Sequence, residues 1–370
     1  MSKPSRLVPL LLCLLAACAR TPPAPEAVTL GDHDPGRIER APPARPAPPP
    51  ADYLAGTHWP AAQLRGGRAW LGCDYDYAAA GDGTPVASLE FFSLVDALTP
   101  CREPGRLRLR YEGKIDAGFT ALVERVAAIA NRMDIGARVL DLDSTGGQVE
   151  EAIRAGDAIA GGHWAVWVRE GAICHSACVL VLAAGDTRSI AGKVGIHRLI
   201  RDQSKATTRA ELSAELKEVT TQVHDYLERN GVAGALADQM MTIANRRLRV
   251  LAPEELEAYG LSGTNAAQDD LDRITLMRRC GEAIVQRRDA FMREFDAQCL
   301  APGEAFADTQ ACGQALEQRF GFPDPACPHQ SPMADYARRL GEALPPAVAS
   351  GAAPADADAA TGAAAGAGRR

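Results

Sequence analysis

Leu142-Asp143-Ser144-Thr145-Gly146-Gly147-Gln148-Val149 is the stretch on which the reading of the fold turns. The run Val139-Leu140-Asp141-Leu142 has the character of a short buried strand, and Gln148–Ala160 carries a helical pattern. A strand that ends in two glycines and passes directly into a helix lets main-chain N–H groups face an anion with no side chain in the way. The same Gly-Gly pair also suits a purely steric turn. Asp141 and Asp143 alternate with apolar neighbours at the strand end, where they either face each other as an acid pair or cap the glycine turn.

The pattern continues outward on both sides. Upstream, Leu107-Arg108-Leu109-Arg110-Tyr111 alternates apolar and polar residues as a half-buried strand does. Asp116–Arg132 places Phe119, Leu122, Val123, Val126, Ile129 and Ala130 at helical spacing. Downstream, Trp164–Val168 reads as a strand, Ser176–Ala184 as a helix, and Ser189–Ala191 and Val194–His197 as short strands. Thr208 and Glu211 form a capping box before a helix with Leu212, Leu216, Val219, Val223 and Leu227 on one side. Strand and helix thus alternate through 107–227, which predicts an α/β fold of βαβ units around a mostly parallel sheet.

Two further segments hold reactive residue types. In Gly171-Ala172-Ile173-Cys174-His175-Ser176-Ala177-Cys178, Ser176 falls at a helix start, where unpaired N–H groups favour developing negative charge. A serine there also serves as an ordinary N-cap. In Gly195-Ile196-His197-Arg198, a histidine at a strand end is a candidate base, or simply a satisfied polar residue.

Taken in order, the three segments resemble the ClpP-like serine peptidase superfamily, the ClpP/crotonase fold. The first is similar to that family's Ser-Pro-Gly-Gly turn, with Thr145 in place of the proline. The second resembles its nucleophile segment, and the third its base, 21 residues further on. Leu251–Leu261 is similar to its late Ala-x-Glu-Ala-x-x-Tyr-Gly-Leu signature, and Gly113-Lys114-Ile115-Asp116 to the start of its first helix. The resemblance spans roughly 105–265 and implies a βαβ spiral core that assembles into rings. It implies Ser176 as nucleophile, His197 as general base, and the Gly147 and Ala177 N–H groups as oxyanion hole. Ser176 Oγ is then expected within hydrogen-bond reach of a His197 nitrogen. The family's aspartate has no counterpart in Ala244-Asn245-Arg246-Arg247-Leu248. Asn245 is the candidate to orient the imidazole, and Asp238 the fallback. The basic run Arg246–Arg249 is read as a solvated face, and Tyr259-Gly260 as a helix end.

The ends of the chain read differently. Lys3 and Arg6 precede a short uncharged run, Leu7–Ala17, too short to span a bilayer. Leu15-Ala16-Ala17-Cys18 resembles the bacterial lipobox, which implies cleavage after residue 17, lipidation of Cys18 and an anchor in the bacterial envelope. With no aspartate in Ala19-Arg20, the sorting resemblance is to the outer membrane, facing the periplasm. Residues 19–50 hold ten prolines in 32 positions, an extended spacer. The expected organisation is a signal peptide at 1–17, a lipid-anchored linker at 18–51, and a small β-rich cap at 52–104. A core domain at 105–267, a Cys-containing helical region at 268–342, and a disordered Ala-rich tail at 343–370 follow.

Of ten cysteines, Cys13 leaves with the leader and Cys18 is lipidated. Eight remain, and an oxidising compartment favours up to four disulfides. Cys73–Cys101 is one expected pair, and Cys280, Cys299, Cys312 and Cys327 supply two more in a connectivity that sequence leaves open. Cys174 and Cys178 flank Ser176 either as small buried residues, as a disulfide pinning that turn, or as catalytic thiols. No CxxC pair accompanies the scattered histidines, so neither metal nor cofactor is called for.

The net charge of −7 and 5% aromatic content argue against a nucleic-acid partner. The expected partners are a membrane through the lipid, a polypeptide substrate or envelope protein, and further copies of the chain. Two other functions compete with a hydrolase: an inactive scaffold on the same fold, and acyl-CoA chemistry, which an exported chain would not meet.

Overall fold

The computed structural model describes residues 56–300 and 306–341. The leader, Cys18, the proline-rich linker and the Ala-rich tail lie outside the described residues. In chain order the elements begin with β1 (Gly67–Gly72), α1 (Tyr77–Ala80), β2 (Thr84–Pro85) and α2 (Phe91–Leu98). Then come β3 (Arg106–Gly113), α3 (Ala117–Arg132), β4 (Ala137–Asp143), α4 (Val149–Gly161), β5 (Trp164–Val168) and β6 (Ile173–His175). They continue with α5 (Cys178–Ala183), β7 (Thr187–Ile190), β8 (Lys193–Ile196), α6 (Arg209–Arg229), α7 (Ala235–Thr242) and β9 (Arg249–Val250). The last are α8 (Pro253–Ala258), β10 (Gly263–Thr264), α9 (Ala266–Cys280), α10 (Glu282–Gln298), α11 (Phe306–Arg319) and α12 (Pro332–Gly341).

The α/β class expected from the alternation is what forms. A seven-stranded sheet runs in the order β10-β7-β5-β4-β3-β1-β2, with β3, β4, β5 and β7 parallel, and a second sheet runs β6-β8-β9. Along β4 the side chains alternate: Leu140 and Leu142 join the main core, while Val139 packs with Tyr75, Ala165 and Trp167 on the other side. The Asp116 side chain accepts the Phe119 N–H at 3.0 Å and starts α3, whose apolar stripe is buried. The capping box at Thr208 and Glu211 opens α6. Gly260, at φ 72°, follows the C-terminal end of α8.

Two local departures have physical causes. The helix expected from Ser176 begins at Cys178, because Ser176 takes a positive φ of 59° that no helix contains. β6, the edge strand of the second sheet, has only three residues, too few for a periodic signal. Within 56–104, β1 runs antiparallel to β3, from Gly67 opposite Gly113 to Gly72 opposite Arg108, and so extends the core sheet. Cys73–Cys101 closes this segment. In the C-terminal helices, Cys280–Cys327 and Cys299–Cys312 bracket a separate core that includes Phe291, Phe295 and Phe322.

Packing inside the main core is tight where α4 meets α6. A Cβ at Gly156 would come within 2.9 Å of Tyr226 Cζ and 3.3 Å of Ala184 Cβ. The Tyr226 hydroxyl donates to the Leu180 carbonyl at 2.9 Å, in full burial. Gly→Ala in a helix ordinarily gains about 1 kcal/mol of propensity. Here overpacking costs roughly 1–3 kcal/mol and wins, so Gly156→Ala lowers the midpoint of thermal unfolding followed by circular dichroism.

Candidate active site

The site is built where the end of β4 meets β6. The Ser144 N–H donates to the Ile173 carbonyl at 2.7 Å, and the His175 N–H donates back to Ser144 at 3.0 Å. Ser144 Oγ accepts the Gly146 N–H at 3.1 Å, so the serine caps the glycine turn. The aspartates do neither job expected of them. Asp143 Oδ1 accepts the Ile173 N–H at 3.2 Å, and its Oδ2 meets Arg110 at 3.3 Å. Asp141 is fully buried among Arg110 at 2.9 Å, Arg169 at 3.0 Å and Arg108 at 3.4 Å. A carboxylate held by three guanidinium groups is a structural ion cluster, since each charge left unpaired there would be costly.

Beyond β6 the chain bends at Ser176, whose N–H donates to the Gly195 carbonyl at 2.9 Å. The serine is 7% exposed and in the left-handed region, a strained conformation for a residue with a Cβ. Cys174 and Cys178, both fully buried, form a disulfide across this bend. With each sulfur bonded to the other, the catalytic-thiol alternative is overturned, and the pinning alternative is the one observed.

Gly146 lies against the same bend. A Cβ there would sit 2.6 Å from the His175 carbonyl oxygen, 2.7 Å from Ser176 Cβ and 3.1 Å from Ala177 N. Its φ of 95° also favours glycine. The next residue is held from the opposite side. The Ile115 N–H donates to the Gly146 carbonyl and the Gln148 N–H to Ile115, both at 2.9 Å. Bridge geometry of this kind turns the N–H of Gly147 away from Ile115. Among the described residues, neither the Gly147 nor the Ala177 N–H donates a hydrogen bond.

β6 and β8 run parallel with His175 opposite Gly195, which brings Ser176 and His197 to the same end of one small sheet. Adjacent strands lie about 5 Å apart. Among the described residues no hydrogen bond joins Ser176 Oγ to His197, so the expected direct contact is not formed. Catalytic hydrogen bonds are often long without substrate and tighten when it binds. The ring is fixed from its other side: His197 Nδ1 lies 3.0 Å from the Arg198 carbonyl oxygen. An N–H on Nδ1 donates to that oxygen and leaves Nε2 as the unprotonated nitrogen.

Asn245 Nδ2 is 3.4 Å from Nδ1, but its amide donates to the same Arg198 carbonyl at 3.0 Å. Its place is therefore beside the ring, with Arg198 as the acceptor that sequence reasoning missed. No residue-type signal marks a main-chain oxygen. Arg198 is itself tied down, its N–H to Ile243 at 2.9 Å and its Nε to Met241 at 2.8 Å. Asp238 is exposed on α7 and makes no hydrogen bond or ion pair with His197 among the described residues. The described residues contain no group of three His, Cys, Asp or Glu side chains able to hold a metal, and no helix long and apolar enough to cross a membrane.

No protein-family model matches the chain, and no curated protein does. Among solved structures it is similar to two variants of the 1510-N membrane-bound stomatin-specific protease. One, in complex with a substrate peptide, is 18% identical at a TM-score of 0.33 over 41% of this chain and 71% of that one. The other is 17% identical at a TM-score of 0.35 over 47% and 83%. Likeness at this level assigns no activity.

His175 also faces the site. Its ring lies over Gly195, and its buried Nε2 has no hydrogen-bond partner. Burial first, and the neighbouring His197 second, push its pKa below the ordinary 6.5, against a smaller opposing pull from Asp143. The unfolded chain therefore binds the proton more readily. Stability is full above 6.5 and falls as pH drops from there towards the depressed value. Urea midpoints measured from pH 7.5 to 5 fall less steeply for His175→Gln than for the parent.

Proposed function

We propose that this chain is a ClpP-like serine hydrolase acting on peptide bonds. The observation that carries the reading is the close approach of Gly146 to Ser176 and Ala177, beside a Gly147 and an Ala177 N–H that donate no hydrogen bond among the described residues. Ser176 Oγ attacks the carbonyl carbon and its proton passes to His197 Nε2. The C=O electron pair moves onto oxygen, where the two N–H groups stabilise it. When the C–N bond breaks, His197 returns the proton to the leaving amine, and water then hydrolyses the Ser176 ester by the same route. Removing one such donor typically costs about 10²–10³ in rate.

The ClpP-like resemblance implies an aspartate behind the base, whereas here a main-chain carbonyl, that of Arg198, faces His197 Nδ1. A neutral acceptor fixes the tautomer, yet stabilises the imidazolium less than a carboxylate does. That feature, with the open Ser176–His197 gap, favours a second reading, an inactive scaffold that binds polypeptide segments without cutting them. Labelling by a fluorophosphonate separates the two. The hydrolase reading predicts covalent labelling on Ser176, lost in Ser176→Ala and slowed at least about 10²-fold in His197→Gln. It also predicts slowing in Gly146→Ala, which displaces the serine bend. An unlabelled, folded protein supports the scaffold.

Leu15-Ala16-Ala17-Cys18 further supports a lipid anchor in the bacterial envelope, with the proline-rich segment as spacer and the domain facing the periplasm. Cys18→Ser is expected to move the protein from the membrane fraction to the soluble fraction after cell lysis. Assembly into homo-oligomers is the corresponding proposal for quaternary structure.

A further inference from the structure

The segment between α7 and α8 forms one side of the proposed site. β9 pairs antiparallel with β8, Val250 opposite Gly195 and Arg249 opposite Ile196. Side chains alternate between faces along a strand, so Val250 shares a face with Gly195 and with His175 on the far side of it. Leu248 directly precedes β9 as His197 directly follows β8, at the same end of this ladder. Leu248 reaches over Gly195, its Cδ1 2.9 Å and its Cγ 3.1 Å from where a Cβ would be.

Both aliphatic residues are nonetheless open to solvent. Leu248 is 46% exposed and Val250 48%, two of the six large apolar side chains at least 43% exposed among the described residues. The Leu251 N–H donates to the Val194 carbonyl at 2.9 Å, which leaves the Val250 N–H and C=O directed at the free edge of the sheet. Arg246 and Arg247 complete the surface. Both are exposed, and neither forms an ion pair among the described residues, whereas Arg249 is paired with Glu255. The segment 244–250 holds three arginines and no acid, in a chain whose net charge is −7. It is a cationic, apolar-tipped ledge beside the candidate base.

We propose that Arg246–Val250 selects the polypeptide bound at this site, taking an extended segment with an aliphatic side chain against Leu248 and Val250 and carboxylate side chains against Arg246 and Arg247. This rests on the reading that the site receives polypeptide, whether or not it cuts it. Aliphatic contact removes Leu248 and Val250 from water. The two guanidinium groups favour carboxylates and repel lysine, and the discrimination weakens as salt screens it.

The test uses the full chain carrying Ser176→Ala and fluorescent peptides that share an Ile-Leu-Val centre, flanked either by Asp and Glu or by Lys. Fluorescence anisotropy is expected to show the acidic peptide bound at least tenfold more tightly in 50 mM salt than the lysine peptide, a margin that shrinks in 500 mM salt. Arg246→Glu with Arg247→Glu reverses the order, and Leu248→Ser weakens both peptides. Equal binding of the two peptides, or a preference that ignores salt, overturns the proposal even where the charge-reversed variant fails to fold. Fluorophosphonate labelling of the parent protein reports separately on the hydrolase reading. Labelling without peptide discrimination removes the ledge alone, and discrimination without labelling removes the hydrolase alone.

Discussion

Main chain meets main chain at Gly146, and the rest of the site depends on that contact. A side chain there would strike the His175 carbonyl, Ser176 Cβ and the Ala177 nitrogen together. Its absence brings the turn after β4 against the bend after β6, so that Gly146 lies against Ser176 and Ala177. Each bend is held by local and by distant contacts, the glycine turn by the Ser144 cap on the Gly146 N–H and by Ile115. The Cys174–Cys178 disulfide spans the serine bend, the β6–β8 ladder anchors it to Gly195, and Asp143 fixes the first N–H of β6.

The ion cluster behind this turn carries a consequence for the site. Asp141 and Asp143 share Arg110, and Asp141 also binds Arg108 and Arg169. Through Asp143 the cluster on the sheet reaches the start of β6, two residues before His175. A buried network of this kind fixes geometry more than it adds stability, because desolvation offsets much of the Coulomb attraction. The orientation of His197 is set in a similar indirect way, by a main-chain carbonyl that α7 and its following turn hold in place.

Much of the architecture was legible in the sequence, because its signals are local. The alternation at Leu107–Tyr111, the apolar spacing from Phe119 to Ala130 and the Thr208 capping box each specify an element by themselves. So did the glycine pair, whose steric role is also its role in the site. What remained hidden depends on contacts between distant segments. β6 is three residues long and exists through its partners at Ser144 and β8. The split duties of Asp141 and Asp143, the Arg198 carbonyl beside His197, and the reach of Leu248 over Gly195 all follow from how distant segments meet. A residue pattern along one chain segment does not encode those meetings.

A crystal structure of the protein after reaction with a phosphonate inhibitor tests the central claim most directly. The expected adduct has phosphorus bonded to Ser176 Oγ, its oxygen about 3 Å from both the Gly147 and Ala177 nitrogens, and His197 Nε2 turned to the serine. An adduct on another residue, or a phosphoryl oxygen directed away from those two amides, contradicts it.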